Sequence, residues 1–424
     1  MKFIPTIISM TVAVALTTPV LAKGDQDKAT KATKMSAPVM AASAQPTTDN
    51  TSLKLERETV NFTQILQPDE KLVFGESNQK TSSKSYYKRV SGAQLSKGVE
   101  LWADGSEAIV RVTPVASSDG VQKSQQMAPA LEPSDFDVIS KVGAVNAKSA
   151  TMSLKADSQQ MNDAYPELFK NTAAFKLSAD MGRGAFSLKT HQKVADNAQY
   201  MVHVFDKNSQ VTLNAEVSRS HFKQGESINL NALLSKTSEI SDYAVELRAP
   251  DGRRWDVPAK MQQQKLTTQW PINVNVQSAP GELWTLAVTM KAANGLERVA
   301  EVAIDLNEQT AKLDGIQAMN GKANAQLSIA KSGRYEVRAW VYGRDSSGKM
   351  VPAVLAHSAS WFEPGQVSLP IVIDKQRLAR TGLLPPYQIR QVKLMDQTRL
   401  AALQTEVNDW TLMGKKRKEI SRSK

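Results

Sequence analysis

The sequence contains no cysteine and only four histidines, His191, His203, His221 and His357. Disulfide scaffolds, thiolate nucleophiles, cysteine-ligated zinc and thioether-linked haem are therefore excluded, and a histidine metal site would have to be assembled from distant segments. Aromatic residues are scarce at 6%, charged residues stand at 22% and hydrophobic ones at 41%, which fits a globular chain better than a disordered or membrane-embedded one. Beyond the first residues no apolar run approaches the ~18 residues of a spanning helix.

What is present begins with an export signature. Lys2 precedes a mostly apolar stretch at 4–16, and Pro19-Val20-Leu21-Ala22 carries small residues where a signal peptidase cuts. The spacing predicts a signal peptide over 1–22, a mature chain from Lys23 and delivery to the periplasm or the exterior. Residues 23–50, rich in Ala, Thr, Lys, Ser, Gln and Pro without apolar periodicity, read as a disordered leader. The net charge is +11, of which the terminal segment KKRKEISRSK supplies +5 from six basic residues and one acidic residue. Lys415, Lys416, Arg417 and Lys418 are the candidate contacts to an anionic polymer such as nucleic acid or lipopolysaccharide. A solvated end that aids solubility is the plainer reading of the same tail at 414–424.

A length of 424 residues implies two to four domains at ~100–200 residues each. From Val211 the text alternates. Val211, Leu213, Ala215 and Val217 are succeeded by Ile228, Leu230 and Ala232, by Val245, Leu247 and Ala249, and by Trp255 and Val257. Trp270, Ile272, Val274 and Val276 come next, then Trp284, Leu286, Val288 and Met290, and last Ala300, Val302, Ile304 and Leu306. A period of two puts each set on one strand face, so about seven antiparallel strands are predicted. Asp251-Gly252 and Asn294-Gly295 are hairpin signals, because tight hairpin turns need positive φ at both central residues. The pattern predicts an immunoglobulin-like β-sandwich over 206–308, with Trp102, Trp255, Trp270 and Trp284 mostly in the core.

A second sandwich is predicted over 309–413, after a short linker at 307–311. Its strands carry Ala325, Leu327 and Ile329, then Tyr335, Val337, Ala339 and Val341, then Val354 and Leu355, then Val367, Leu369, Ile371 and Ile373, and Tyr387, Ile389, Val392 and Leu394. Trp410 and Leu412 suit a last edge strand. Within it, Gly333-Arg334-Tyr335-Glu336-Val337, Glu363-Pro364-Gly365 and Thr381-Gly382-Leu383-Leu384-Pro385-Pro386-Tyr387-Gln388-Ile389 resemble a β-sandwich module of exported bacterial proteins, with Pro385 where that module usually has Gly. Together with Val90-Ser91-Gly92-Ala93-Gln94-Leu95, Gly98-Val99-Glu100-Leu101 and Tyr200-Met201-Val202-His203-Val204, the chain is similar over ~85–413 to an uncharacterised family of exported proteobacterial proteins with tandem immunoglobulin-like domains. The resemblance implies a fold and no activity.

The front part, 51–205, reads as a β-rich domain with some helix. Leu101, Ala108, Val110 and Val112 flank the turn signal Asp104-Gly105. Met161, Ala164, Tyr165, Leu168 and Phe169 have helical spacing that Pro166 interrupts, which predicts two short helical pieces. Ser77-Asn78-Gln79-Lys80, Ser227-Ile228-Asn229 and Lys331-Ser332-Gly333 imitate the signatures of penicillin-recognising enzymes, but the serine lies in a polar loop instead of opening a buried helix. His203 shares a strand face with Met201 and Phe205 and lacks a partner at catalytic spacing. Asp206-Lys207-Asn208 starts like a calcium loop but has no glycine at the sixth position and Val217 at the twelfth. Lys84-Ser85-Tyr86-Tyr87-Lys88-Arg89 mixes rings with cations as some nucleic-acid or sugar surfaces do; as a strand it turns one tyrosine in and one out.

No nucleophile, acid–base pair or metal set emerges, and no cofactor is expected. The expectation is a mainly β, exported, non-enzymatic protein that works by adhesion, scaffolding or binding an envelope or extracellular protein or glycan. The alternative is a hydrolase with its site in 51–205.

Overall fold

The computed structural model describes residues 57–67, 78–117, 126–141, 152–164, 169–236, 239–276 and 279–413. The segments expected to be a signal peptide and a leader, and the basic tail with Lys415, Lys416, Arg417 and Lys418, lie outside the described residues, as do Ser77, Tyr165, Pro166 and Leu168. The chain divides at Arg57/Glu58, and the β-structure belongs to the unit from Glu58 onward.

The fold is mainly β, built as successive two-sheet sandwiches around three apolar cores. In the first, a six-stranded sheet contains Ser85–Ser91, Gln199–Phe205, Ile109–Ser117, Ala173–Leu177 and Met152–Ala156, with Gln126–Met127 paired beside Ile109–Ser117. It packs on a three-stranded sheet of Val99–Ala103, Gly184–Thr190 and Phe136–Ser140. Tyr86, Val90, Leu101, Val110, Val112, Phe175, Leu188, Tyr200, Val202 and Val204 fill the space between.

The second sandwich matches the alternation closely, with Val211, Leu213, Ile228, Leu230, Val245, Leu247, Leu286, Val288 and Ile304 all buried. One sheet contains Ser227–Leu234 and Leu213–Val217, the other Ile240–Arg248, Trp284–Ala292 and Glu297–Asn307. His221–Lys223 pairs with Glu297–Asn307 in parallel. Of the four tryptophans expected in the core, Trp284 alone is fully buried; Trp102, Trp255 and Trp270 pack against the core half-exposed. Trp255 stacks on Trp284 at 5.5 Å. The strand expected from Trp270 to Val276 ends at Pro271, beyond which Ile272, Val274 and Val276 stay buried outside the ladder, the imide having no N–H to give.

Both hairpin glycines serve differently from the expectation. Gly252 and Gly295 take positive φ, 90° and 96°, but Asp251 and Asn294 do not. The Gly252 amide bonds the Ala249 carbonyl and the Ala249 amide bonds the Arg253 carbonyl; the Ala292–Leu296 turn repeats this pattern, a type I turn closed by one left-handed glycine. The turns with two positive-φ residues are Gln263-Gln264 and Asn320-Gly321. Asn320-Gly321 joins Ala311–Met319 to Lys322–Ile329, so the chain leaves the expected linker directly into a strand.

In the third sandwich Met350–Phe362, Gly333–Arg344, Leu384–Asp396 and Ala401–Met413 form one sheet, and Ala311–Met319, Lys322–Ile329 and Gly365–Ile371 the other. The Tyr335 hydroxyl donates to the Lys331 and Thr310 carbonyls at 2.6 and 3.2 Å, pinning the strand entrance. Peptide Pro385-Pro386 is cis.

Two strands from the front of the chain complete later sandwiches. Val60–Ile65 adds antiparallel to Met350–Phe362 as the outer strand of the third, and Gln79–Ser83 adds to Leu213–Val217 as the outer strand of the second. The chain thus visits its third and second cores before building its first.

Candidate functional site

The joint between the first and second sandwiches is built on a fully buried ion pair. Asp206 and Arg298 form an ion pair at 2.8 Å with both side chains 0% exposed. The Asp206 carboxylate also accepts the Asp104 and Gly105 amides at 2.7 and 2.9 Å. Arg298 donates further to the Ser209 hydroxyl at 2.9 Å, the Val211 carbonyl at 3.2 Å and the Glu297 carbonyl at 2.9 Å, and Ser209 donates to Asp104 at 2.7 Å. Burial raises the Asp206 carboxyl, while Arg298 and the two amides pull it back. The segment that imitates a calcium loop is therefore a structural clasp. Gly105 is required by closeness: a Cβ there would lie 2.5 Å from the Ser209 nitrogen.

The strand Glu297–Asn307 carries the rest of the joint. Val299 enters the first core, Lys88 lies 3.6 Å from Glu297, and the Tyr87 hydroxyl donates to Glu301 at 2.6 Å. Burial and Glu301 push the Tyr87 phenol up to about 12. Arg248 joins this cluster through Glu301 at 2.8 Å and a short bond to the Tyr87 oxygen. As the alternation predicts, Tyr86 points inward and Tyr87 outward, onto the neighbouring sandwich.

Beside this joint lies a cleft. Ser85–Ser91 and Val99–Ala103 are outer strands of the two sheets of the first sandwich, connected by the helix Gly92–Lys97, and they do not pair. Side chains bridge them instead. The Tyr86 hydroxyl accepts the Trp102 amide at 2.7 Å and donates to the Trp102 carbonyl at 3.0 Å, and Lys88 reaches the Glu100 carbonyl at 3.3 Å. The helix is held by a capping box, Ser91 accepting the Gln94 amide and Gln94 accepting the Ser91 amide. It stops at Gly98, whose φ of 104° disfavours any side chain.

The unpaired strand edges leave a cavity of about 530 Å³ lined by Lys88, Arg89, Gln94, Lys97, Val99 and Glu100. A smaller one, about 100 Å³, shares Lys88 and Glu100 and is walled by Tyr86, Trp102, Lys291 and Asn294. Glu100 is neutralised by Lys141, whose proximity lowers its carboxyl. Arg89 is committed to Gln199 and the Ala116 carbonyl. The exposed Lys97 and Lys291 make no side-chain hydrogen bond or ion pair among the described residues, and the Lys291 charge acts on Glu100 from a distance. The segment 84–89, with its rings and cations, thus supplies one wall of a cationic cleft.

The other candidates resolve as structure. Arg111 donates to His203 Nδ1 at 2.8 Å, and burial with the Arg111 charge drives that imidazole down to about 3. The ring stays neutral with one nitrogen occupied, and no carboxylate orients it among the described residues. His357 Nδ1 and Glu336 meet at 2.6 Å under the stacked ring of Phe62. Burial works against ionising Glu336, but His357, Arg338 and Gln397 hold it at about 2. Lys80 pairs with Glu216 and Lys331 with Glu308, on different sandwiches, so the penicillin-type signatures do not converge. Among the described residues no group of three or more metal-ligating acids and histidines comes together.

Family models described as the N-terminal and C-terminal domains of a domain of unknown function, DUF4785, match residues 51–206 and 309–412. The structure is similar to that of a DUF4785 family protein from Legionella pneumophila, with TM-score 0.66 at 19% identity over 88% of this chain and 99% of that one. Trypsin-activated α2-macroglobulin from Escherichia coli (TM-score 0.20, 10% identity, 77% of this chain and 31% of that one) and the adhesin domain of Epf from Streptococcus pyogenes (TM-score 0.15, 11% identity, 60% and 98%) are too distant to carry an argument. No curated protein matches the chain.

Proposed function

The chain belongs to the DUF4785 family, and on that premise we propose that it is an exported, non-enzymatic protein of the cell envelope that binds an anionic partner through the cleft beside Lys97 and Lys291. The observation that carries this reading is the cleft itself, a cavity large enough for a small ligand where two lysines stand without an ion pair of their own among the described residues and the lining carboxylate is already paired with Lys141. The joint beneath it supports the same reading. A buried clasp holds two sandwiches in one register, which keeps a binding surface formed before the partner arrives and lowers the ordering cost of association. The basic tail at 415–418 would add non-specific attraction to the same polymer. A hydrolase in 51–205 would need an acid–base pair, and His203, pinned by Arg111, does not supply one.

The test is retention of the mature chain on isolated cell envelopes across a salt gradient. The doubly substituted Lys97→Glu/Lys291→Glu chain should lose most retention at low salt, while removal of 414–424 should weaken it and leave a salt-sensitive remainder. Equal retention of the doubly substituted and unaltered chains would refute the cleft as the binding surface.

A further inference from the structure

Building on the reading of the cleft as a binding surface, we infer that its ligand is a phosphate-bearing sugar. The cations that remain available decide the class. A carboxylate is recognised best by the paired N–H groups of an arginine. Arg89, which lines the larger cavity, has Nε on Gln199 at 3.2 Å and Nη2 on the Ala116 carbonyl at 3.0 Å, so its Nε–Nη2 fork is taken. Beside Arg89 Nη1, the cations at the cleft are ammonium groups: Lys97 and Lys291, with Lys88 between the two cavities held by the Glu100 carbonyl, a 3.6 Å approach to Glu297 and the Tyr86 ring at 5.8 Å. Compact point charges suit a phosphomonoester, which presents three equivalent oxygens and close to two negative charges near neutral pH.

The remaining walls suit the sugar. Gln94 and Asn294 offer amide groups that both donate and accept, and the strand edges of 85–91 and 99–103 carry backbone groups unpaired with each other. Val90, Val99 and the aliphatic stems of the lysines make the larger cavity's lining mostly apolar, a surface for the apolar face of a sugar ring. The two neighbouring cavities, about 530 and 100 Å³ with Lys88 and Glu100 in both walls, favour more than one ring or one ring with its phosphate in the smaller one. An extended acidic peptide would use the same open strand edges, but Tyr86 and Lys88 already bridge the gap between them. The peptide is the outcome that would overturn the inference.

The experiment is calorimetric titration of the full mature chain with a glucosamine disaccharide 1,4′-bisphosphate, with the same disaccharide lacking phosphate, with vesicles containing lipid A, and with an acidic peptide. The inference predicts binding of the bisphosphate, at least tenfold weaker binding of the phosphate-free sugar, and a loss of about three- to tenfold for each of Lys97→Ala and Lys291→Ala. Both lysines are exposed, so these substitutions leave folding intact, checked by unchanged urea midpoints. Binding of vesicles as well as free disaccharide assigns the phosphate to a lipid-borne sugar; binding of the free disaccharide alone assigns it to a soluble or polymeric one. Equal affinity for phosphorylated and phosphate-free sugars, or preference for the peptide, would overturn the inference while leaving the cleft as a binding surface. No response of any ligand to the lysine substitutions would overturn both.

Discussion

Replacing Arg298 with methionine removes the cation from a wholly buried pair and leaves the Asp206 carboxylate facing only the Asp104 and Gly105 amides. Breaking a buried pair from one side costs about 3–5 kcal/mol, because the remaining charge has lost both water and partner. Asp206→Ala should cost at least as much, since it strands Arg298 and also orphans two amides at about 1–3 kcal/mol each. The two changes share one defect, so the double substitution should cost less than the sum of the singles by about 1 kcal/mol or more. Equilibrium urea unfolding, monitored by tryptophan fluorescence, measures these differences as midpoint shifts, each resolved transition fitted with its own m. Because Val299 and the clasp tie the first core to the second, the substitution should also separate a shared transition into two. A midpoint change worth under 1 kcal/mol for Arg298→Met, with the transition unsplit, would refute the clasp as the element that fixes the joint.

Glu336 has its carboxyl held at about 2 against an ordinary 4.5, so the stability it contributes is complete above about pH 4.5 and drains away as pH falls through 2. The shift corresponds to roughly 3 kcal/mol, and Glu336→Gln should remove most of this acid sensitivity from the third sandwich in pH-dependent unfolding. His203, held at about 3, should keep neutral-ring resonances at pH 5 by NMR. Its folded value lies below the ordinary 6.5, so its contribution is full above pH 6.5 and declines as the unfolded chain takes up the proton below that; a ring that titrates near 6.5 in the folded protein would contradict the Arg111 contact. Gly105→Ala forces a methyl to 2.5 Å from the Ser209 nitrogen and should lower stability by about 1–3 kcal/mol in thermal unfolding.

Local sequence encodes these features unevenly. Alternation of Leu213, Leu230, Leu247 and Val288 specifies strand faces directly, because the period of two is a property of the backbone. Turns are less legible. Gln263-Gln264 forms a hairpin turn with φ of 46° and 69° on residues that rarely adopt it, held by the pairing of Lys260–Gln262 with Lys265–Pro271. The strands Val60–Ile65 and Gln79–Ser83 are hidden for another reason: their partners lie hundreds of residues away in one case and over a hundred in the other. No local pattern encodes that distance. The clasp does leave a signal. Arg298 occupies the inward parity of a strand whose other inward residues are Ala300, Val302, Ile304 and Leu306, and a charge on an apolar face requires a buried counter-charge. Helix Gly92–Lys97 is marked by the Ser91 and Gln94 pair of a capping box. The cleft is the least legible feature, since it exists only because two outer strands fail to pair.

The most direct test of the binding account watches the cleft itself. Trp102 walls the smaller cavity together with Gly295, so its indole resonance in a ¹⁵N-labelled chain reports on that chamber. Titration with the glucosamine disaccharide bisphosphate should move the Trp102 indole signal saturably, leave that of the buried Trp284 in place, and lose the effect in Lys97→Ala/Lys291→Ala. A saturable response confined to tryptophans of the third sandwich, with Trp102 unmoved, would contradict the account.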